Sequence, residues 1–373
     1  MLDVLIIGAG PVGLTAALTL SSLGKNVRII DKNNDSTKQI RAIGINPRSL
    51  MLLEPFGLTA QLIENGIKVP KLNLLYQSDL LIELNFNRIK CPYNFMLSLT
   101  QNNIEKIFNN ELAKKGISVE RNTELISVQQ NKDKVIATIN KNGQTEDVSC
   151  EIVFGADGAH STVRKQANIS FTGNQKIERW SIIDVEMDWP FAHSNIFMFD
   201  NALMIVLPVA EHRYYAVSNI ENTLSLLPKS CNIKNFYWQS QFNVAFKMAD
   251  NYRSDRIFLG GDAAHIFPPI GGRGMNLGIE DAVIFSQLLM NNQLHEYDKI
   301  QRANAVQVSH DSEALVKIAT LATPATKFAR NHILIPVLRN SFVQQRFCWR
   351  MTGLGNSFTA SALTNLTKLF LTN

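Results

Sequence analysis

The 373-residue sequence is poor in the residues that staple or metallate small folds. Its four cysteines, Cys91, Cys150, Cys231 and Cys348, lie far apart and form no CxxC pair. That excludes a disulfide framework or a thiolate zinc site and fits free thiols in a reducing cytoplasm. The seven histidines show no HxxxH or HExxH spacing, so no protein-held metal is expected. No apolar run reaches membrane-spanning length. The nearest approach, Val4 to Leu20, has no basic leader and is interrupted by Gly8, Gly10, Pro11 and Gly13, which excludes a signal peptide and a span alike. Charged residues make up only 18% of the chain against 45% hydrophobic, an ordinary balance for a soluble globular enzyme. The length exceeds one hydrophobic core, so two domains or an interleaved pair are expected.

The net charge of +5 is unevenly placed. From residue 301 onward eight Lys and Arg face only Asp311 and Glu313, so this segment carries the whole excess. Two readings stay open: a solvated face of C-terminal helices, or contact with an anionic membrane surface or partner. Nucleic acid is not expected, because the basic residues are dispersed and no binding motif accompanies them.

Residues 3–7 read as a buried strand, 11–23 as a helix with Pro11 in its first turn and Gly24 after it, and 27–30 as a second strand ending at Asp31. This is the opening βαβ of a doubly wound sheet. A short helix is predicted over 46–55 and alternating strands over 69–86. A helix over 101–115 has Ile104, Ile107, Phe108 and Leu112 on one face. Strands follow near 117–121, 134–139, 151–155, 181–187, 196–207, 213–220 and 256–261. A nearly all-apolar helix covers 276–290, and 303–350 is helical and amphipathic. Such alternation implies a nucleotide-binding domain into which a second sheet is inserted twice.

Between the first strand and helix stands Gly8-Ala9-Gly10-Pro11-Val12-Gly13. Gly8 allows the tight turn, Gly10 the approach of a pyrophosphate, and Gly13 close helix–strand packing. The helix N-terminus offers free N–H groups and positive potential to phosphates. Asp31, 18 residues past Gly13, is near the spacing of an acid that accepts ribose hydroxyls. This motif alone does not separate FAD from NAD.

Two further motifs do. Gly155-Ala156-Asp157-Gly158-Ala159-His160-Ser161 closes a strand and precedes Val163-Arg164-Lys165. Gly260-Gly261-Asp262-Ala263-Ala264-His265 is followed by Pro268-Pro269 and Gly271-Gly272-Arg273-Gly274-Met275-Asn276. With Arg41-Ala42, Asn46-Pro47-Arg48, Gln101 and Asp281-Ala282, the chain resembles the p-hydroxybenzoate hydroxylase-like family of single-component FAD monooxygenases, the aromatic-ring hydroxylases. The resemblance runs from about residue 3 to 290 and is weaker around Thr352-Gly353-Leu354 and Ser361.

The resemblance implies an α/β fold, α+β in its inserted part. A Rossmann-like FAD-binding domain would occupy 1–68, 92–170 and 251–300. An interleaved β-sheet substrate domain would take 69–91 and 171–250, and a helical segment 301–373. It implies a FAD site built from Gly8, Gly10, Pro11, Val12, Gly13, Asp31, Lys32, Arg41, Gln101, Leu125, Asp157, Gly158, Arg164, Gly261, Asp262, Pro269, Gly271, Gly272, Gly274, Met275 and Asn276. In that scheme Arg41 and Gln101 touch the phosphate and ribityl region, and Asp157 and Gly158 support both FAD and the reduced nicotinamide cofactor. The Asp262 carboxylate suits ribityl hydroxyls. The Gly271–Gly274 loop and the helix after it face the flavin pyrimidine edge, where positive potential stabilises the reduced, anionic ring. No catalytic triad is expected; the flavin-side candidates are Arg273 and Pro268. Phe267, Tyr214 and Leu207 are the candidate substrate contacts.

The activity implied is hydride transfer from NADPH or NADH to FAD. A flavin C4a-hydroperoxide then inserts one oxygen atom of O2 into an electron-rich, aromatic or polyketide-like small molecule. The alternative is a FAD-dependent reductase or dehydrogenase of the geranylgeranyl-reductase type acting on a hydrophobic substrate. The halogenase WxWxIP pattern is missing; Trp189-Pro190 does not reproduce it. Location is expected to be cytoplasmic, membrane-peripheral if the basic segment docks. Larger members add a thioredoxin-like C-terminal domain, for which no counterpart is expected here.

Overall fold

A computed structural model describes residues 2–35, 43–321 and 323–356, with only the backbone of 174–178. The strand Leu2–Ile7 lies inside a seven-stranded sheet, between its edge strand and its central strand. It runs parallel to Val27–Ile30 on one side and to the end of Gln144–Gly155 on the other; Ile257–Leu259 extends the parallel set beyond. Val4, Leu5, Ile6, Ile29, Ile30, Val153, Phe154 and Leu259 are all buried, as strands covered on both faces must be. The helix Pro11–Ser22 covers this sheet and packs on a second helix, Arg273–Met290. Thr19 and Ser286 hydroxyls meet at 2.7 Å between them.

The inserted sheet has eight strands. In spatial order they are His265–Ile266, Asn232–Ala249, Phe171–Asp188, Arg213–Ser218, Leu203–Ala210, Ser194–Met198, Lys71–Tyr76 and Asp79–Asn85. All neighbours are antiparallel except Ser194–Met198 with Lys71–Tyr76. A small sheet of Ile43–Ile45, Met96–Thr100 and Ile67–Val69 stands apart, and its Ser98 hydroxyl donates to the Pro208 carbonyl of the large sheet at 2.5 Å. The architecture is therefore a Rossmann-like α/β domain with an interleaved β-sheet and a helical C-terminal segment.

Several local expectations change. Residues 117–121 form no strand, only an isolated parallel bridge from Glu120 to Ile30. The helical stretch at 303–350 is broken into Tyr297–Ala319, Pro324–Ala329, a π-helical turn Arg330–Leu334, Ile335–Arg339 and Ser341–Met351. Pro324 and Pro336 each stand in the first turn of a piece, where a missing N–H costs least. The long strand Asn232–Ala249 was not legible, because its first half is largely exposed and shows no regular alternation of apolar and polar residues.

Glu120 also fastens the edge of the parallel sheet. Its carboxylate accepts from Arg28 Nε at 2.5 Å and Lys141 Nζ at 2.9 Å. Hydrogen bonding to Arg28 holds this carboxyl below its ordinary value of 4.5. A group depressed in the folded state stabilises above its unfolded pKa and loses that contribution as pH falls through the folded one. Glu120→Gln is therefore expected to cost about 0.5–1 kcal/mol at neutral pH for such a partly exposed pair. It should also flatten the loss of melting temperature below pH 4.5. Parallel melting curves for the two proteins across that acid range would contradict it.

Candidate functional site

The turn at residues 8–13 is sterically specified. Gly8 has φ +100°, and a Cβ there would lie 2.3 Å from the Ala156 carbonyl oxygen. A Cβ on Gly13 would lie 1.9 Å from the Gly8 oxygen. Gly10 differs: a Cβ there meets nothing within 4 Å. Gly158 and Gly274 likewise border open space. Two of these glycines adjoin uncapped helix ends. The helices beginning at Pro11, Gln101 and Arg273 have no side-chain cap and no acid in the first turn. Those at Pro47, Thr162, Pro324 and Ser341 are capped by Asn46, Ser161, Thr323 and Asn340. Uncapped N–H groups beside open, side-chain-free backbone are what a phosphate or an anionic ring edge requires.

The motifs are bonded to one another. Gly260 N–H donates to the Gly155 carbonyl at 2.9 Å. Arg164, 5% exposed, donates to the Ala263 and Ala159 carbonyls at 2.7 and 2.9 Å and lies 3.8 Å above the Phe171 ring. Burial lowers its pKa. Its guanidinium is thus a strut between the second and third motifs. The Val12 side chain fits against two glycines, since a Cβ on Gly261 or Gly278 would lie 2.7 or 2.5 Å from Val12 Cγ2. Gly278 was not singled out in the sequence; a glycine inside a buried helix was the available signal.

Asp31 is 9% exposed. One of its oxygens accepts Ala9 N–H at 2.7 Å and the other Asn33 N–H at 2.8 Å, so it ties the glycine turn to the end of the second strand. Lys32 is exposed beside it. Arg41 lies outside the described residues, as do Ala42 and Ser361. Gln101 starts its helix and donates to Glu105 at 2.8 Å. Leu125 is buried in Thr123–Gln130. The Asp157 carboxylate accepts from the Ser161 hydroxyl at 2.5 Å and from Thr162 and Val163 N–H at 2.6 and 3.1 Å, capping the following helix. Burial raises its pKa.

Asp262 sits exposed on a 3₁₀ turn, Gly261–Ala263. Behind that turn is Asp281, fully buried. It accepts Gly261 N–H and His265 Nε2 at 2.8 Å each on one oxygen, and Gln301 Nε2 at 2.8 Å on the other. Burial raises the Asp281 pKa while the His265 contact opposes it. Phe267 stacks on His265, with ring centroids 5.0 Å apart. Pro268 is buried and Pro269 precedes the short turn Ile270–Gly272. There Gly271 and Gly272 hold φ of +74° and +59°, a consecutive left-handed pair suited to glycine. Met275 is half-buried.

Three expectations are redirected. Arg273 is 6% exposed. Its guanidinium donates to the Arg350 carbonyl at 2.5 Å and to Asn356 at 3.4 Å, turning toward the C-terminal segment rather than presenting a loop cation. Asn276 likewise spends its amide on Asn46 N–H and on the Gly44 and Gly272 carbonyls. Tyr214 is corrected by strand alternation. It packs with Trp189, Phe197 and Met204 on the outer face of the eight-stranded sheet. Its neighbour Tyr215 shares the inner face with Leu207, Trp238 and Ile270, beside the 270–272 turn.

The comparisons agree with this geometry. A family model described as "FAD binding domain" matches residues 1–225 and 228–293. The chain belongs to that family, the p-hydroxybenzoate hydroxylase-like FAD-binding proteins. It is 30% identical over 305 residues to rifampicin monooxygenase of Rhodococcus hoagii, covering 76% of this chain and 62% of that protein. It is 30% identical over 302 residues to pentachlorophenol 4-monooxygenase of Sphingobium chlorophenolicum, covering 75% and 56%. The crystal structure of p-nitrophenol 4-monooxygenase from Pseudomonas putida DLL-E4 superposes with a TM-score of 0.86 at 21% identity, covering 95% of this chain and 98% of that one. The match spans only 62%, 60% and 54% of the first three curated relatives. Among the described residues no cluster of metal-ligating side chains occurs. The chemistry of the site fits FAD: Gly10, Gly158 and Gly274, one from each motif, leave room for a ligand beside their backbone.

Proposed function

We propose that this flavoprotein is a monooxygenase that draws electrons from NADH or NADPH and places one oxygen atom of O2 on an electron-rich aromatic or polyketide-like small molecule. Bound FAD supplies the electron transfer and the dioxygen activation. The observation that carries the reading is the apolar inner wall of Leu207, Tyr215, Trp238 and Ile270, set against a left-handed glycine turn whose next residue but one, Gly274, borders open space. Such a wall suits a planar hydrophobic substrate and keeps water from the reacting atoms. The protein's other tasks are binding and orientation. Gly10 and the Pro11–Ser22 N-terminus would receive the pyrophosphate, Asp262 the ribityl hydroxyls, and the Arg273–Met290 N-terminus the pyrimidine edge. The relatives' names, which include rifampicin, pentachlorophenol and 6-methylpretetramide, favour aromatic and polyketide classes.

The test is a panel of phenols and polyketide aromatics scored by substrate-stimulated NADH or NADPH oxidation together with oxygen-18 in the product. Label from O2 in the product is expected. Label from water would rule out oxygen insertion from O2, and undiminished anaerobic turnover of an alkene would replace the reading with the reductase alternative. Asp262→Ala is expected to weaken FAD binding roughly 10- to 100-fold, the range for losing charge-assisted hydrogen bonds of ~1.5–3 kcal/mol. Full flavin occupancy with normal flavin reduction would contradict that role.

A further inference from the structure

Five large hydrophobic side chains stand exposed on consecutive C-terminal helices: Phe328 at 61%, Ile333 at 61%, Val337 at 50%, Phe342 at 63% and Trp349 at 37%. They are ordered rather than scattered. In Ser341–Met351 the exposed positions after the first residue, Ser341, are Phe342, Arg346, Trp349 and Arg350, one helical face at spacings of four, seven and eight. On the helical stretch 324–339 a second exposed strip carries Phe328, His332, Ile333 and Val337. The opposite faces are committed, because Ile335 and Cys348 are buried with Leu72, Ile82 and Leu84 of the inserted sheet. A groove of about 350 Å³, lined by Leu321, Ala329, Ile333, Leu334 and Val337, opens on the same side.

Charge selects the occupant. From residue 314 to 373 the sequence contains no Asp or Glu, but has seven Lys and Arg. Arg346 lies 5.8 Å from the Phe342 ring. The acids that reach this surface come from elsewhere: Asp311 pairs with Arg350 and Asp200 with Lys327. A second copy docking by the same face would set arginine against arginine. Residues 357–373, whose only ionisable side chain is Lys368, offer these arginines no counter-charge. Aromatic and aliphatic side chains interleaved with arginine suit the headgroup boundary of an anionic bilayer. No described helix is long and apolar enough to cross one.

We propose that the exposed face of residues 328–350 docks on an anionic lipid surface, lying in its plane. The proposal is independent of the reaction assigned above.

The test is sedimentation of the full chain, with FAD, against phosphatidylcholine vesicles and against vesicles containing phosphatidylglycerol, at low and high salt. Binding to the phosphatidylglycerol vesicles alone, weakening as salt rises, is expected. Ile333→Glu with Phe342→Glu should weaken it by roughly tenfold or more, and Arg346→Gln by roughly fivefold. All three positions are exposed or lie on the exposed face, so flavin content and melting temperature should hold. Failure to bind anionic vesicles, equal binding to neutral ones, or unchanged binding of both variants would overturn the proposal. So would an oligomer in solution that Phe342→Glu dissolves, which would assign the face to a second copy.

Discussion

Gly13→Ala purifies without flavin and with a destabilised fold, while Gly10→Ala loses flavin from a fold that is as stable as before: this is the pair of results expected at the first motif. The two glycines are three residues apart in one turn, yet a methyl group meets opposite circumstances. At Gly13 it would stand 1.9 Å from the Gly8 carbonyl oxygen, inside any van der Waals contact, so helix and strand must separate. Overpacking of this kind costs about 3 kcal/mol or more. At Gly10 the backbone has φ −76° and ψ −177°, which alanine adopts freely, and the methyl projects into open space. Alanine there restricts the unfolded chain and should leave the apoprotein unchanged or steadier by about 0.4–1 kcal/mol. The same methyl occupies the approach of the pyrophosphate and should weaken FAD by roughly 10- to 100-fold, the cost of about 1–3 kcal/mol of steric conflict. Thermal melting of the apoproteins with FAD titration reads both. Equal melting losses in the two variants would show that Gly10 serves packing rather than ligand access.

Asp281→Ala is expected to cost about 3–5 kcal/mol, the usual loss when one partner of a buried charged set is removed. Melting should fall by about 4–6 °C for a chain of this length. The carboxylate is fully buried and satisfies Gly261 N–H, His265 Nε2 and Gln301 Nε2. Its removal strands donors with no water to replace it. Gly261 begins the turn that carries Asp262, so flavin affinity should fall together with stability. Asp281→Asn keeps an acceptor for Gly261 but sets an N–H₂ group against another donor, and should fall between. An alanine variant with unchanged melting and full flavin would show that the turn is held by other contacts.

The parallel sheet and the three motifs were legible because each is local: Val27–Ile30 ends at Asp31, and glycines mark every turn. What escaped depended on contacts distant in sequence. Nothing near Tyr214 or Tyr215 tells which one faces inward, since a one-residue change of register exchanges the two faces. Arg273 read as a loop cation because Arg350 and Asn356, its partners, come much later in the chain. Arg164 read as a ligand-facing cation for the same reason, its acceptor being Ala263. The first half of Asn232–Ala249 hid because it is largely exposed on both faces, although its partner 181–187 was legible.

The seat of Val12 between Gly261 and Gly278 also bears on how the protein is made. The N-terminal glycine turn leaves the ribosome early, but the glycines that receive Val12 and the strand Ile257–Leu259 follow roughly 250 residues later. At roughly 5–20 residues per second the interval is on the order of tens of seconds. Both parallel neighbours of Leu2–Ile7, the strand Val27–Ile30 and the end of Gln144–Gly155, precede those glycines in the chain, so the first strand can be paired while the seat of Val12 is still missing. Flavin loading at this seat is thus confined to the time after Gly278 has been made. A supply of free FAD acts only after that point.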